Sequence, residues 1–180
     1  MLRIEIPKAE LWDEREMEFK VFPGQVLVLE HSLVSVSKWE SKFNKPFITK
    51  EQKTRKEMIE YVRCMTITQN VPKDAYNYLT QKNLKEIQEY IDAKMTATTF
   101  REDKNHLHNN EVVTSELIYY WMIALNIPME CEKWHLNRLF TLIRICNIKN
   151  QPGKKMSKSE IMAQHAALNA QRKRAMHTTG

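Results

Sequence analysis

The chain has 180 residues, 42% of them hydrophobic, and a net charge of +6, which suits one main domain able to withdraw roughly 70% of its unfolded surface from water. Three glycines and six prolines leave little material for tight turns, whereas ten methionines and many Leu, Ile, Lys, Glu and Gln residues favour helices, so a mainly α (α+β) chain is expected. Three cysteines without framework spacing point to a reducing cytosol, nothing at the N-terminus reads as a secretory leader, and the longest apolar run, Leu117 to Leu125, falls short of the roughly twenty residues a membrane helix needs.

Three regions are expected: a β element over 1–31, a helical domain over 32–148 and a basic helical arm over 149–180. At the start, Leu2, Ile4 and Ile6 alternate with Arg3 and Glu5, and Phe19 and Val21 lead through Pro23-Gly24 into Val26 to Leu29, which predicts strands and a hairpin at the Pro-Gly pair. From Ser32 the period becomes helical, with Leu33, Val36, Trp39 and Phe43 on one face until Lys45-Pro46 ends the helix. Thr49 and Gln52 have capping-box spacing ahead of a second helix over about 50–65, carrying Met58, Ile59, Tyr61, Val62 and Met65. Pro72 opens a short segment with Tyr76 and Leu79, and Thr80 caps a helix presenting Leu84, Ile87 and Ile91. Residues 95–110 lack periodicity and read as a connecting loop.

Thr114 or Ser115 caps a helix through Leu125, which Pro128 terminates. A further helix is expected from Glu130 and Glu132 to about Asn147, apolar except for a polar stripe of Lys133, Asn137, Thr141 and Arg144. Trp134, Leu139, Leu142, Ile143 and Cys146 lie on one side of that stripe, and Leu136, Phe140 and Ile145 project from another, so two neighbours are needed to cover the helix. Either helices of the same domain cover both sides, or one side stays open as a groove for a partner's helix or strand. Beyond Pro152-Gly153, Ser157 is placed to cap a last helix whose Ile161, Met162, Ala166, Ala167 and Leu168 give a weak apolar face. From Lys149 onward there are seven basic residues (Lys149, Lys154, Lys155, Lys158, Arg172, Lys173, Arg174) against Glu160 alone, so the arm carries the whole charge excess of the chain.

No catalytic constellation, cofactor site or metal site is assigned. Cys131 and His135 share a helix face but supply two ligands at most, and they read as a buried thiol and a core histidine. Glu102, Asp103, His106 and His108 sit together in the polar loop and read as solvated. Gly24 and Gly153 are too few to build a nucleophile elbow or a phosphate cradle. The basic arm suits an acidic protein surface or, with a steep salt dependence, nucleic acid; little aromatic interleaving disfavours base reading.

The segment Ser115 to Asn150, SELIYYWMIALNIPMECEKWHLNRLFTLIRICNIKN, with PGKKMSKSEIMAQHAALNAQRK after it, resembles the C-terminal half of tail assembly chaperones of long-tailed bacteriophages, and a weaker echo lies in SVSKWESKFNKPF and the Lys53 to Met65 helix. The resemblance implies a protein of the host cytoplasm, absent from the mature virion, that binds the tape-measure protein and the tail-tube subunits. It supplies no catalytic residues and leaves room for a longer frameshifted isoform and for homo-oligomers. Trp121, Trp134, Leu139, Phe140 and Ile143 are the expected partner-binding residues, with Lys154, Lys155, Lys158, Arg172, Lys173 and Arg174 holding an acidic face of the client. The competing expectation is a neck, connector or tail-terminator subunit of the virion in which the same helices pack against copies of the chain.

Overall fold

A computed structural model describes residues 1–14, 17–49, 51–100, 111–150 and 158–176, and the chain divides into two compact units, 1–146 and 147–180. The first is mainly helical with a small antiparallel β element at its N-terminus. Strands β1 (Leu2–Ile6), β2 (Ala9–Asp13), β3 (Glu18–Phe22) and β4 (Gln25–Leu29) precede helices α1 (Leu33–Phe43), α2 (Arg55–Met65), α3 (Gln81–Asp92), α4 (Ser115–Ala124) and α5 (Leu136–Asn150). Two 3-10 turns, Lys73–Tyr78 and Met129–Lys133, interrupt the series.

The expected hairpin at Pro23-Gly24 does not form. Instead β1 pairs with β4 and β2 with β3, both antiparallel and in one continuing register: Ile6 lies opposite Gln25 before the interruption and Ala9 opposite Phe22 after it. That register places Pro7 opposite Gly24 and Lys8 opposite Pro23. Neither proline has an N–H to donate, so the ladder breaks there and the two halves become separate two-stranded sheets. Gly24 adopts φ +86°, and a Cβ on it would sit 3.1 Å from the carbonyl oxygen of Ile6.

The inner half is built into the core. Ile4, Ile6, Leu27 and Leu29 are buried in the same cluster as Leu33, Val36 and Trp39 of α1, Tyr61, Val62 and Met65 of α2, and Ile118 and Met122 of α4. The free edge of β4 is taken up by the chain after α2, where Val28 N–H donates to Thr68 Oγ1 at 2.8 Å and Ile67 N–H to the Val28 carbonyl at 2.8 Å. The β1 side is closed by α3, whose buried Asn83 donates from Nδ2 to the Glu5 carbonyl at 3.0 Å.

The caps read from the sequence at Thr80 and Thr114 hold, and Ser32, where the helical period begins, caps α1 in the same way: each accepts from the backbone N–H three residues on. The second helix starts five residues later than expected. Thr54 and Glu57 form its capping box, with Thr54 N–H donating to Glu57 Oε2 at 2.8 Å, and Thr49 and Gln52 lie ahead of it. Those bonds, led by the Thr54 backbone N–H, hold the Glu57 carboxyl below its usual range.

The last core helix also begins later than its composition suggests. Glu130 and Glu132 belong to the 3-10 turn, and Trp134 is extended because the chain there forms a bridge between His135 and Ser32. Leu136 N–H donates to the His31 carbonyl at 2.7 Å, and only beyond this contact does α5 begin. Of the expected loop, Met95 to Phe100 runs beside α5, and 101–110 lie outside the described residues. In the second unit α6 spans Lys158–Met176, and its side chains, wherever described, are exposed.

Candidate functional site

The expected partner-binding residues divide by burial. Leu139, at 0% exposure, and Ile143, at 5%, are enclosed with Leu136 in the chain's own core, so neither is offered to a partner. Trp121, Trp134 and Phe140 pack against that core yet remain half-buried. On α4, where Ile118 and Met122 take the core side, Tyr120 and Ile123 point outward at 64% and 66% exposure. Among the described residues, α4 thus carries large apolar side chains both on its covered side and away from it.

Around α5 the surface is grooved. The segment from Lys94 to Phe100 leaves a cleft of about 510 Å³ lined by Phe100, Asn137, Phe140, Thr141 and Arg144, and another of about 390 Å³ lined by Met95, Trp134, Arg138, Leu142 and Ile145. Trp134 and Phe140 are thereby brought to neighbouring clefts that share Thr96, Thr98 and Thr141, while Trp121 lines neither. Guanidinium groups lie over the rings: Arg138 sits 4.1 Å from the centroid of Trp134 and Arg144 4.1 Å from that of Phe100. Each such stack partly covers an apolar face and leaves a cation at the rim.

The polar stripe of α5 has a structural job that the sequence did not reveal. Asn137 donates both Nδ2 hydrogens, to the carbonyls of Ile91 and Ala93, at 2.9 Å each, and so receives the end of α3. The last carbonyls of a helix have no intrahelical donor, and one amide supplies two. Periodicity placed Asn137 only in a polar stripe, because a donor to another segment and a solvated side chain look alike in sequence.

A buried polar cluster lies behind the clefts. His135 is buried, as expected, and its Nε2 shares a 2.9 Å hydrogen bond with the Tyr90 carbonyl while its Nδ1 accepts from Asn137 N–H at 3.3 Å. These bonds suit the neutral ring with the proton on Nε2. His31 packs against it with ring centroids 5.0 Å apart and shares a hydrogen bond with the Tyr61 hydroxyl. Burial, followed by the neighbouring His135, pushes the His31 pKa down to about 3, and burial lowers His135 despite the Tyr90 carbonyl. Tyr90 donates to Glu30 Oε1 at 2.6 Å. Burial pushes Tyr61, Tyr90 and Tyr119 up, and with the added bond to Glu132 at 2.8 Å Tyr119 reaches about 12.

A second buried carboxylate ties the helices together. Glu40 of α1 accepts from Phe47 N–H and from Ser115 N–H, both at 2.7 Å, at the start of α4, where the helix dipole favours negative charge. Sequence reasoning passed over Glu40 because its charge suggested a surface position.

Burial also raises the Cys64 and Cys131 thiols, which keeps them protonated and weakly nucleophilic. Among the described residues no group of three or more His, Cys, Asp or Glu side chains is placed to hold a metal ion, and no helix is long and apolar enough to cross a membrane. Glu102, Asp103, His106 and His108 lie outside the described residues, as do Lys154 and Lys155. Lys158 and Lys173 fall within α6, and Arg172 and Arg174 on it are exposed. No protein-family model, curated protein or solved structure matches the chain.

Proposed function

We propose that this chain is a phage tail assembly chaperone, which shields apolar helical surface on the tape-measure protein while the tail-tube subunits polymerise around it. The observation that carries the proposal is the half-open aromatic surface of α4 and α5. Trp121, Trp134 and Phe140 are packed from below and accessible from above, and Tyr120 and Ile123 extend the apolar area. A preformed apolar surface with a cationic rim favours an amphipathic helix whose polar face is acidic. Leu139 and Ile143 act in this reading as the floor that fixes the rings. The arm, with Arg172 and Arg174 exposed, adds electrostatic capture.

Co-expression of the tagged chain with the tape-measure and tail-tube proteins tests this directly. Retention of either client, weakened by Trp134→Ala and Phe140→Ala together, is the expected result, with the chain missing from purified particles. Failure to retain both clients removes the proposal, and a stoichiometric band in mature virions replaces it with a neck, connector or terminator subunit.

A further inference from the structure

Residues 94–100 lie along the outer side of α5 and part it into the two clefts. Thr96, Thr98 and Thr141 border both, whereas Met95 and Ala97 border only the cleft of Trp134, and Thr99 and Phe100 only that of Phe140. The segment therefore passes by Thr141 with Trp134, Leu142 and Ile145 to one side and Phe140 and Arg144 to the other. Without it the two clefts would run together as one groove on α5.

Its attachment is uneven. Asn137 secures the chain up to Ala93, and Met95, at φ +51°, marks the turn from the end of α3 into the segment. Past that turn, among the described residues, no hydrogen bond joins 94–100 to α5. Thr98 N–H donates within the segment, to Thr96 Oγ1 at 3.1 Å, and the Thr141 hydroxyl donates to the Asn137 carbonyl of its own helix at 2.9 Å. The far end is held by a ring contact, the Arg144 guanidinium 4.1 Å from the Phe100 centroid. Arg144 is exposed, and a cation–ring contact is weak where water reaches it. Met95 is 44% exposed and Phe100 half-buried, so neither apolar side chain of the segment is built into the core. A stretch with few buried contacts and no bond to the helix beneath it opens locally at low cost.

We propose that segment 94–100 is a built-in occupant of the α5 groove, latched by Phe100 against Arg144, and that an incoming apolar segment displaces it and takes the place of the Phe100 ring. Arg138 and Arg144 belong to α5 and stay at the rim when the segment leaves, so the opened groove keeps its preference for an acidic, apolar ligand. The use of the opened groove rests on the proposed client binding, but the opening does not and is measured on the purified full-length chain.

The aromatic anion 1-anilinonaphthalene-8-sulfonate serves as the probe. Its apparent affinity scales with the fraction of molecules that are open, so a groove open in about one molecule in ten should bind it about tenfold more tightly once the latch is released by Phe100→Ser. Met95→Ser, at the other end of the segment, should act in the same direction. Phe100→Tyr, whose ring can still stack on the guanidinium, should restore the wild-type value. Adding Trp134→Ala and Phe140→Ala to Phe100→Ser should remove the gain, which separates an opened groove from a loosened core; circular dichroism shows that the variants remain folded. Equal probe affinity in the wild-type, Phe100→Ser and Met95→Ser chains overturns the proposal, as does a gain that survives the loss of Trp134 and Phe140. With the tape-measure protein in place of the probe, Phe100→Ser should increase retention. A chain that gains probe binding through Trp134 and Phe140 yet retains no tape-measure protein supports the latch and removes the proposed client.

Discussion

Acidification should destabilise the fold through His31 before the carboxylates respond. In the folded chain this ring is held neutral, its pKa down to about 3 against an ordinary 6.5, so between those values the unfolded chain binds the extra proton. Stability therefore rises with pH through the window: the contribution is complete above 6.5 and is lost as pH falls below it. At about pH 5 the loss depends almost wholly on the unfolded value and amounts to about 2 kcal/mol from His31, with His135 adding in the same direction. For a chain of this size that is a fall in Tm of roughly 4–8 °C. Glu57 and Glu116, whose carboxyls are held below their usual range, begin to matter only at lower pH. Urea melts followed by tryptophan fluorescence from about pH 8 to about pH 5 measure the slope. His31→Asn, which keeps an acceptor near the Tyr61 hydroxyl, should be less stable at high pH but should lose about 2 kcal/mol less on acidification. A wild-type midpoint unchanged across that range, or a variant that falls as steeply, refutes the assignment of a buried neutral ring.

Glu40→Ala would strand the N–H groups of Phe47 and Ser115, at about 1–3 kcal/mol for each buried donor, and the loss should appear in chemical denaturation together with fraying at the start of α4 by hydrogen exchange. Asn137→Ala removes both donors to the end of α3, so exchange should accelerate at 93–100 with about 1–3 kcal/mol of destabilisation, while Asn137→Asp, which has no donors, should be at least as damaging. Gly24→Ala forces a Cβ against the Ile6 carbonyl at positive φ and should lower stability by about 1–2 kcal/mol in thermal melts.

The fold was legible where the deciding information is local. Ser32, Thr80 and Thr114 each place an oxygen three residues before an unpaired N–H and just ahead of a helical apolar repeat, so sequence and structure agree on those starts. Thr54 and Glu57 make the same box as reciprocally as any, but the Thr49 to Gln52 spacing competed with it, and spacing alone cannot tell which pair nucleates. The strands were visible as alternation, yet their pairing was not. Pro23-Gly24 looks like a turn, and only the distant Pro7, opposite Gly24, makes it the midpoint of a longer ribbon. The helix expected from Glu130 was shortened by a backbone bond from Leu136 to His31, a contact between residues that sequence distance hides.

The candidate site was half legible for a related reason. The apolar excess on α5 drew attention to the right stretch, and Trp134 and Phe140 do border open clefts. Which apolar positions face inward depends on where the helix begins, and so Leu139 and Ile143 went to the core. The buried Glu40 and His31 went unremarked because Ser115 and Tyr61, to which they are bonded, lie tens of residues away.

The amide of Asn137 and the carboxylate of Glu40 together have a practical corollary. They clamp the chain at residues 91–93 and again at Ser115, so both ends of the intervening stretch are anchored independently of its length. Lengthening that stretch by about ten residues would add well under 1 kcal/mol of closure entropy. Hydrogen exchange should therefore report two separate anchors, with Asn137→Ala loosening residues 93–100 and Glu40→Ala loosening the start of α4, each without the other.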